Sequence, residues 1–423
     1  MKPPIVAHDF RATRTREGAA EVACTIRDEL RELPATLWFR VHDHAEPLGA
    51  TADPFGAAVA IGAMALGRPV RVAGAMSASL VDGLGRVARQ YEAWSAAAMY
   101  PVTRVPLDAE TTARPRLGTE AASFFSGGLD SFYTLLRNLA RYPPGDARRI
   151  QRALLVHGFD VPLDDAATFA RVRDDAGRAA EALGVRLTVI TTNVRDVLRG
   201  LDWDVHGHGV GLAATGLALG ALLHTVYIPS SGQPLSANLP NAVHPSLVPW
   251  WSTEGLEFVS DGGWATRTDK TRVVGRSAVA RAHLRVCWEA PGGGNCGACE
   301  KCLRTMVDLH LAGALADCHT FPDAIDAGRI RRLRLPGADL PFWGEMLELL
   351  RATGRDGGLA EAVETALARP AWARSPAGRV DRYVRGGLAR LGLTAPRLTR
   401  LDERLLGGAV RRSIGRLRRR TLT

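Results

Sequence analysis

The sequence predicts an α/β protein: a parallel sheet with helices on both faces, a zinc knuckle, and an α+β accessory domain ahead of them. Three observations lead there. Between Ala121 and Pro229 short apolar runs alternate with helix-length segments, the rhythm of βαβ units. A Ser-Gly-Gly turn separates the first of these runs from its helix. Four of the six cysteines fall within residues 287–302.

Taken in order, residues 1–115 mix strand and helix patterns. Glu21 to Ile26 and Thr36 to Val41 alternate as half-buried strands do. Pro54 to Leu66 and Ser77 to Ala97 are long enough for helices, with Ser77 an N-cap ahead of Leu80, Val81 and Leu84. No chemical motif falls in this accessory segment, and Thr111 to Gly118 reads as a linker. Residues 116–310 then carry strands at Ala121–Phe125, Ala153–His157, Arg186–Thr192 and Thr225–Pro229, with helices at Ser131–Ala140, Asp165–Leu183 and, buried, near 208–223. Ligands of such sheets bind at the carboxyl ends of strands. The stretches His157-Gly158-Phe159-Asp160, Thr192-Asn193 and Ser230-Ser231 fall there, each equally readable as an ordinary turn. Residues 311–368 read as helical, with an apolar patch at Met346, Leu347, Leu349 and Leu350.

Charge is unevenly spread. The 423 residues carry a formal +10, yet residues 369–423 alone hold 15 arginines against Asp381, Asp402 and Glu403, leaving the rest at −2. This tail, broken by Pro370, Pro376 and Pro396, suits RNA phosphates or an anionic membrane, or a helix packed on the body with a solvated arginine face. An apolar fraction of 46% and a charged fraction of 23% exclude wholesale disorder. Gly209 to Leu223 is apolar for 15 residues, short of the about 20 that a span needs, so no transmembrane segment is expected. The first 18 residues lack the apolar core of a signal peptide, and a cytoplasmic setting follows.

Ser126-Gly127-Gly128-Leu129-Asp130-Ser131 ends a strand and opens a helix. Two glycines let the backbone bend and approach a ligand closely. The helix start offers unpaired N–H groups and a positive dipole end to a phosphate. Ser126 and Ser131 add hydroxyls, and Asp130 can hold the turn or face Mg2+. The loop resembles the Ser-Gly-Gly-X-Asp-Ser pyrophosphate loop of the PP-loop (N-type ATP pyrophosphatase) superfamily, whose fold is adenine nucleotide alpha hydrolase-like. The resemblance implies that residues 126–131, with His157, bind ATP and that Ser126 and Asp130 are catalytic. It further implies an adenylated carbonyl or amide oxygen, with release of pyrophosphate and AMP.

Cys287, Cys296, Cys299 and Cys302, spaced x8, x2 and x2, supply four thiolates, with Gly292, Gly293, Gly294 and Gly297 easing the chain round a metal. Four sulfurs without histidine match closed tetrahedral Zn2+. Cys24 and Cys318 read as small core residues. Together, the loop and this spacing resemble the 7-cyano-7-deazaguanine synthase family over residues 119–310. In that family four such cysteines bind structural zinc, and ATP drives a carboxylate through an amide to a nitrile. Thr268-Asp269-Lys270-Thr271 resembles its lysine-bearing segment, which makes Lys270 a phosphate contact; the alternative is a solvated helix-start lysine. Lys301 stands between two ligands and shapes the knuckle or takes part in chemistry. The family's substrate residues do not map onto this chain. The expectation is a synthase-like, AMP-forming C–N ligase acting on another small acid or amide, and the sequence leaves room for a homodimer. The alternatives are a tRNA-thiolating PP-loop enzyme gripping RNA by its tail, and a non-catalytic zinc and nucleotide-binding module.

Overall fold

The computed structural model describes residues 2–42, 48–95, 101–231, 240–287, 290, 292–335, 337, 339–354 and 356–369. The basic tail expected to meet RNA or a membrane therefore lies, from Pro370 on, outside the described residues. The chain divides into two units, one of residues 1–231 and 240–263, the other of residues 232–239 and 264–423.

The first unit opens with β1 (Ile5–Arg14), β2 (Ala20–Arg27), β3 (Thr36–Val41), α1 (Asp53–Met64), β4 (Val70–Ser77), α2 (Ala78–Ala93) and β5 (Leu107–Thr112). It continues with β6 (Glu120–Phe124), α3 (Leu129–Arg141), β7 (Ile150–His157), α4 (Ala166–Ala182), β8 (Arg186–Thr192) and the short α5 (Val194–Val197). A π-helical turn at Trp203–Gly207 leads into α6 (His208–Ala218), followed by β9 (Leu223–Pro229), a 3-10 turn at Val248–Trp251 and β10 (Glu257–Asp261). Caps fall where hydroxyl and carboxylate side chains stand. Ser77 accepts the Leu80 N–H at 3.0 Å ahead of α2, and Asp165 accepts that of Thr168 at 3.0 Å ahead of α4.

All ten strands lie in one mostly parallel sheet, in the order β10-β9-β6-β7-β8-β3-β2-β1-β4-β5. The chain runs outward through β6, β7 and β8, then returns to place β9 and β10 on the other side of β6. Helix α3 packs on β6, β7 and β9, α4 on β7 and β8, and α6 on β9. The buried helix expected near 208–223 is α6, packed against α1 over a core that includes Phe55, Ile61, Val210 and Leu217.

The segment expected as a separate accessory domain, residues 1–115, shares this sheet with residues 116–261. β3 pairs antiparallel with β8, Phe39 opposite Thr192 and Val41 opposite Ile190. Asn193 stitches the seam: its side-chain oxygen accepts the Trp38 N–H at 3.0 Å and its amide donates to the Thr36 carbonyl at 2.9 Å. Periodicity marks β3 and β8 as strands, but nothing local in either names a partner some 150 residues away, so a boundary at 115/116 is what local patterns suggest.

The second unit is helical among its described residues: α7 (Arg267–Arg276), α8 (Ala278–His283), α9 (Glu300–Leu311), α10 (Ala327–Arg332), α11 (Leu340–Thr353) and α12 (Gly357–Ala368). Leu303 and Val307 of α9 share a core with Trp343, Met346 and Leu350 of α11 and Val363 of α12. The cysteine cluster belongs to this unit, and the stretches expected as 116–310 and 311–368 meet inside it without a break. Among the described residues no helix is long and apolar enough to cross a membrane.

Candidate functional site

Residues 126–131 sit at the carboxyl end of β6, the strand from which the chain order reverses between β7 and β9. That is the switch point where a doubly wound sheet leaves a crevice for ligands. Phe125, buried at the strand end, donates its N–H to the Leu154 carbonyl at 2.8 Å and so fixes where the loop departs. Gly127 takes a φ of 74°, left-handed backbone that a residue with a Cβ resists. Ser126 is exposed, and its hydroxyl accepts the Gly128 N–H at 3.3 Å. Ser131 closes the turn from the other side by donating to the Gly128 carbonyl at 2.9 Å.

Helix α3 begins at Leu129 with no side-chain cap on its first turn. Its leading N–H groups thus keep the character of an anion site. Asp130 lies in that first turn, half-buried. Further along α3, Arg137 meets Asp261 at the end of β10 at 2.6 Å, and the Asp261 carbonyl accepts the Ser230 N–H at 2.8 Å. Helix and strand ends around the switch point are thereby tied together. Arg137 and Asp261 escape notice in the sequence because neither stands in a motif.

The other candidates divide. His157 ends β7 as expected, but its ring stacks on Phe169 at 4.0 Å and its Nε2 bonds the Pro162 carbonyl at 2.9 Å. The imidazole is engaged in the β7–α4 connection, and Asn193 is occupied with the β3–β8 seam. Lys270 lies buried on α7, in the second unit. Its neighbours Arg267 and Thr268 both reach Asp308 of α9, at 3.2 Å in each case. Burial pushes the Asp308 carboxyl up to about 6 despite the arginines beside it.

The four cysteines converge. Their sulfurs all lie within 4.8 Å of one another, with Cys287–Cys299 and Cys296–Cys302 each at 3.8 Å. A disulfide would need about 2.05 Å. A tetrahedron with zinc–sulfur arms of about 2.3 Å has edges of about 3.8 Å, so the spacing fits one ion at the centre. A [4Fe–4S] cube, which sets irons and sulfides between its ligands, needs a wider frame. The four sulfurs can hold a metal ion such as zinc.

The protein scaffold prepares this geometry. Cys299 stands at the N-cap of α9 and Cys302 in its first turn, where the helix dipole favours thiolate. The Cys296 sulfur accepts the backbone N–H of Ala298 at 3.4 Å and of Cys299 at 3.2 Å. Asn295 joins the arms: its oxygen accepts the N–H of Val286 at 2.9 Å and of Cys287 at 3.2 Å, and its amide donates to the carbonyls of Leu284 at 2.8 Å and Thr320 at 3.2 Å. Asn295 is absent from any reading based on cysteine spacing, although its place directly before Cys296 is a signal. Hydrogen bonding to Cys287, with burial, pushes the Cys302 thiol up to about 12, and a cation at the centre is what would reverse this. With four protein ligands and no open position, such a site is structural in kind.

Comparison of the chain with protein-family models, curated proteins and solved structures finds no match.

Proposed function

We propose that the chain is an ATP-dependent, AMP-forming ligase of the PP-loop kind, in which residues 126–131 hold the phosphates of ATP. One observation carries this reading: a Ser-Gly-Gly-Leu-Asp-Ser loop followed by an uncapped helix start, seated at the switch point of a parallel sheet. In this reading an oxygen of a small acid or amide attacks the α-phosphorus of ATP, the bond from that phosphorus to pyrophosphate breaks, and a nitrogen nucleophile then displaces AMP. The leading N–H groups of α3 and the Ser126 hydroxyl stabilise charge gathering on the departing pyrophosphate. Asp130 is the carboxylate in the loop suited to Mg2+, which when bound would neutralise phosphate charge. The cysteine cluster keeps zinc, as a fold-stabilising ion.

The sulfur spacing supports this over tRNA thiolation, because a single ion fits it and a cluster does not. The deciding experiment is phosphorus NMR of ATP incubated with the protein and a metabolite extract. AMP with pyrophosphate supports the ligase, whereas ADP with phosphate, or no turnover, refutes it.

A further inference from the structure

The carboxyl ends of β7 and β8, next to the loop that follows β6, carry a constellation that the phosphate site does not use, all of it in the first unit. Gly158, at a φ of 104°, passes β8 so closely that a Cβ would stand 2.2 Å from the Thr192 carbonyl oxygen. Just beyond it, the Phe159 carbonyl accepts from Arg195 of α5 at 2.6 Å, and the Arg195 guanidinium lies over the Trp203 ring at 4.2 Å. Trp203 opens the π-helical turn, a geometry that recurs at functional sites. Asp202 fixes that turn by accepting the N–H of Asp204 at 3.1 Å and of Val205 at 3.2 Å. Phe159 meets Trp203 edge to face at 5.4 Å, and a Cβ on Gly211 would crowd the two rings at 3.2 and 3.3 Å, so both rest directly on the first turn of α6.

Among the described residues the other nitrogens of Arg195 have no partner, and no carboxylate forms an ion pair with it. The side chain reaches solvent, yet its surroundings desolvate it enough to lower its pKa, as expected of a cation lining a recess. His208 donates from Nδ1 to the Trp203 carbonyl at 2.9 Å, because a carbonyl can only accept. Nε2 therefore carries the lone pair, and burial holds the imidazole below its ordinary range despite Asp204, Asp160 and Asp202 nearby. Asp160 and Asp204 are exposed, and their charge reaches both Arg195 and His208. A phosphate would be repelled by these carboxylates, and a simple acid would leave them unmatched. A molecule that carries a carboxylate and an ammonium together matches both signs. We infer that this is the site of the nitrogen nucleophile and that the nucleophile is an α-amino acid, its carboxylate on Arg195 and its ammonium at Asp160, Asp204 and His208 Nε2. The inference rests on the ligase reading above. His208 takes one proton from the ammonium, and the freed lone pair forms the C–N bond to the adenylated carbonyl carbon. The C–O bond to AMP breaks, AMP leaves with its electron pair, and a second proton passes from nitrogen to water.

Binding is measured without ATP, so that it stands apart from cleavage: each standard amino acid is titrated by calorimetry into the full chain. Saturable binding of at least one is expected, with acetate and methylamine each weaker by about tenfold or more, since each meets one sign only. Arg195→Met should weaken the amino acid by about tenfold or more. His208→Gln should leave that affinity within about twofold, while amide formed from the amino acid, ATP and a metabolite extract, followed by mass spectrometry, falls by about 100-fold or more. No saturable binding by any amino acid, acetate binding as tightly as the amino acid, or an unchanged affinity in Arg195→Met would each overturn the site, even where ATP is still cleaved to AMP. An unchanged amide yield in His208→Gln would overturn its role as base. Amino-acid binding that depends on Arg195, beside a phosphorus spectrum without AMP, would instead refute the ligase and the nucleophile's role while upholding the site.

Discussion

The side-chain oxygen of Asn295 accepts the backbone N–H of Cys287 at 3.2 Å, and through this bond one residue sets the position of a cysteine of the four-sulfur cluster eight places before it. Asn295→Ala strands that N–H, the N–H of Val286 and the carbonyl of Leu284. Each buried group left unpaired costs about 1–3 kcal/mol, and support of this kind is worth about 10–100-fold in metal affinity. The expected result is faster loss of zinc to a chelator and a lower Tm, with all four cysteines still present. Unchanged zinc retention would remove Asn295 from the site.

Cys299→Ala tests the cluster itself. The variant should bind less zinc by elemental analysis, and its Tm should fall in step. Chelation of the unmodified protein should reproduce the same fall, because metal affinity and folding free energy are coupled. Full metal content in Cys299→Ala would refute the four-sulfur site.

At the phosphate loop, Ser126→Ala and Asp130→Asn should each lower AMP formation by about 100-fold or more, the usual effect of removing one group aimed at developing charge. Ser126 is exposed, so circular dichroism of the first variant should match the parent. Turnover unchanged by either substitution would sink the assignment.

The β3–β8 seam makes its own prediction. Asn193→Ala breaks two hydrogen bonds to strand edges, at Trp38 and Thr36, and should destabilise the first unit by about 1–3 kcal/mol in urea unfolding. A fragment beginning near residue 116 should fail to fold, since it lacks β3, which covers the outer edge of β8.

Acid should act through Glu254. Burial draws its carboxyl upward, but the backbone N–H groups of Ser79 and Arg114, with the Ser77 hydroxyl, outweigh this and hold it at about 2. A folded value below the unfolded 4.5 contributes stability that is complete above about pH 4.5 and is lost as pH falls towards 2. Glu254→Gln should therefore lower the urea midpoint near neutrality and flatten its decline across that window. Parallel curves for variant and parent would show that the carboxylate contributes nothing.

Much of the second half of the sheet was legible in the sequence. Arg186–Thr192 is the span of β8, Ser77 caps α2 as expected, and the helix expected from Asp165 is α4, with Asp165 standing as its N-cap. Strands escaped notice where alternation fails. β1 is interrupted by an irregularity between His8 and Arg11, with Asp9 at a φ of 55°, and β5 is the polar edge strand Leu-Asp-Ala-Glu-Thr-Thr. The loop at 126–131 and the four cysteines were legible because each packs its chemistry into a few adjacent residues. Arg137 with Asp261, and Asn193 with Trp38, were not, because pairing across 124 or 155 residues is set by topology and leaves no local trace.

That last separation has a consequence for synthesis of the chain. The Trp38 N–H finds its acceptor 155 residues later. At about 5–20 residues per second, the edge of β3 emerges from the ribosome about 8–30 s before β8 exists to cover it. For that interval β1 to β3 present an open strand edge that any neighbouring nascent chain could extend. Protection of this edge by a chaperone, or a slow approach to its partner, is thus built into how the protein must be made, and yield on expression should depend on translation speed more than on the stability of the finished sheet.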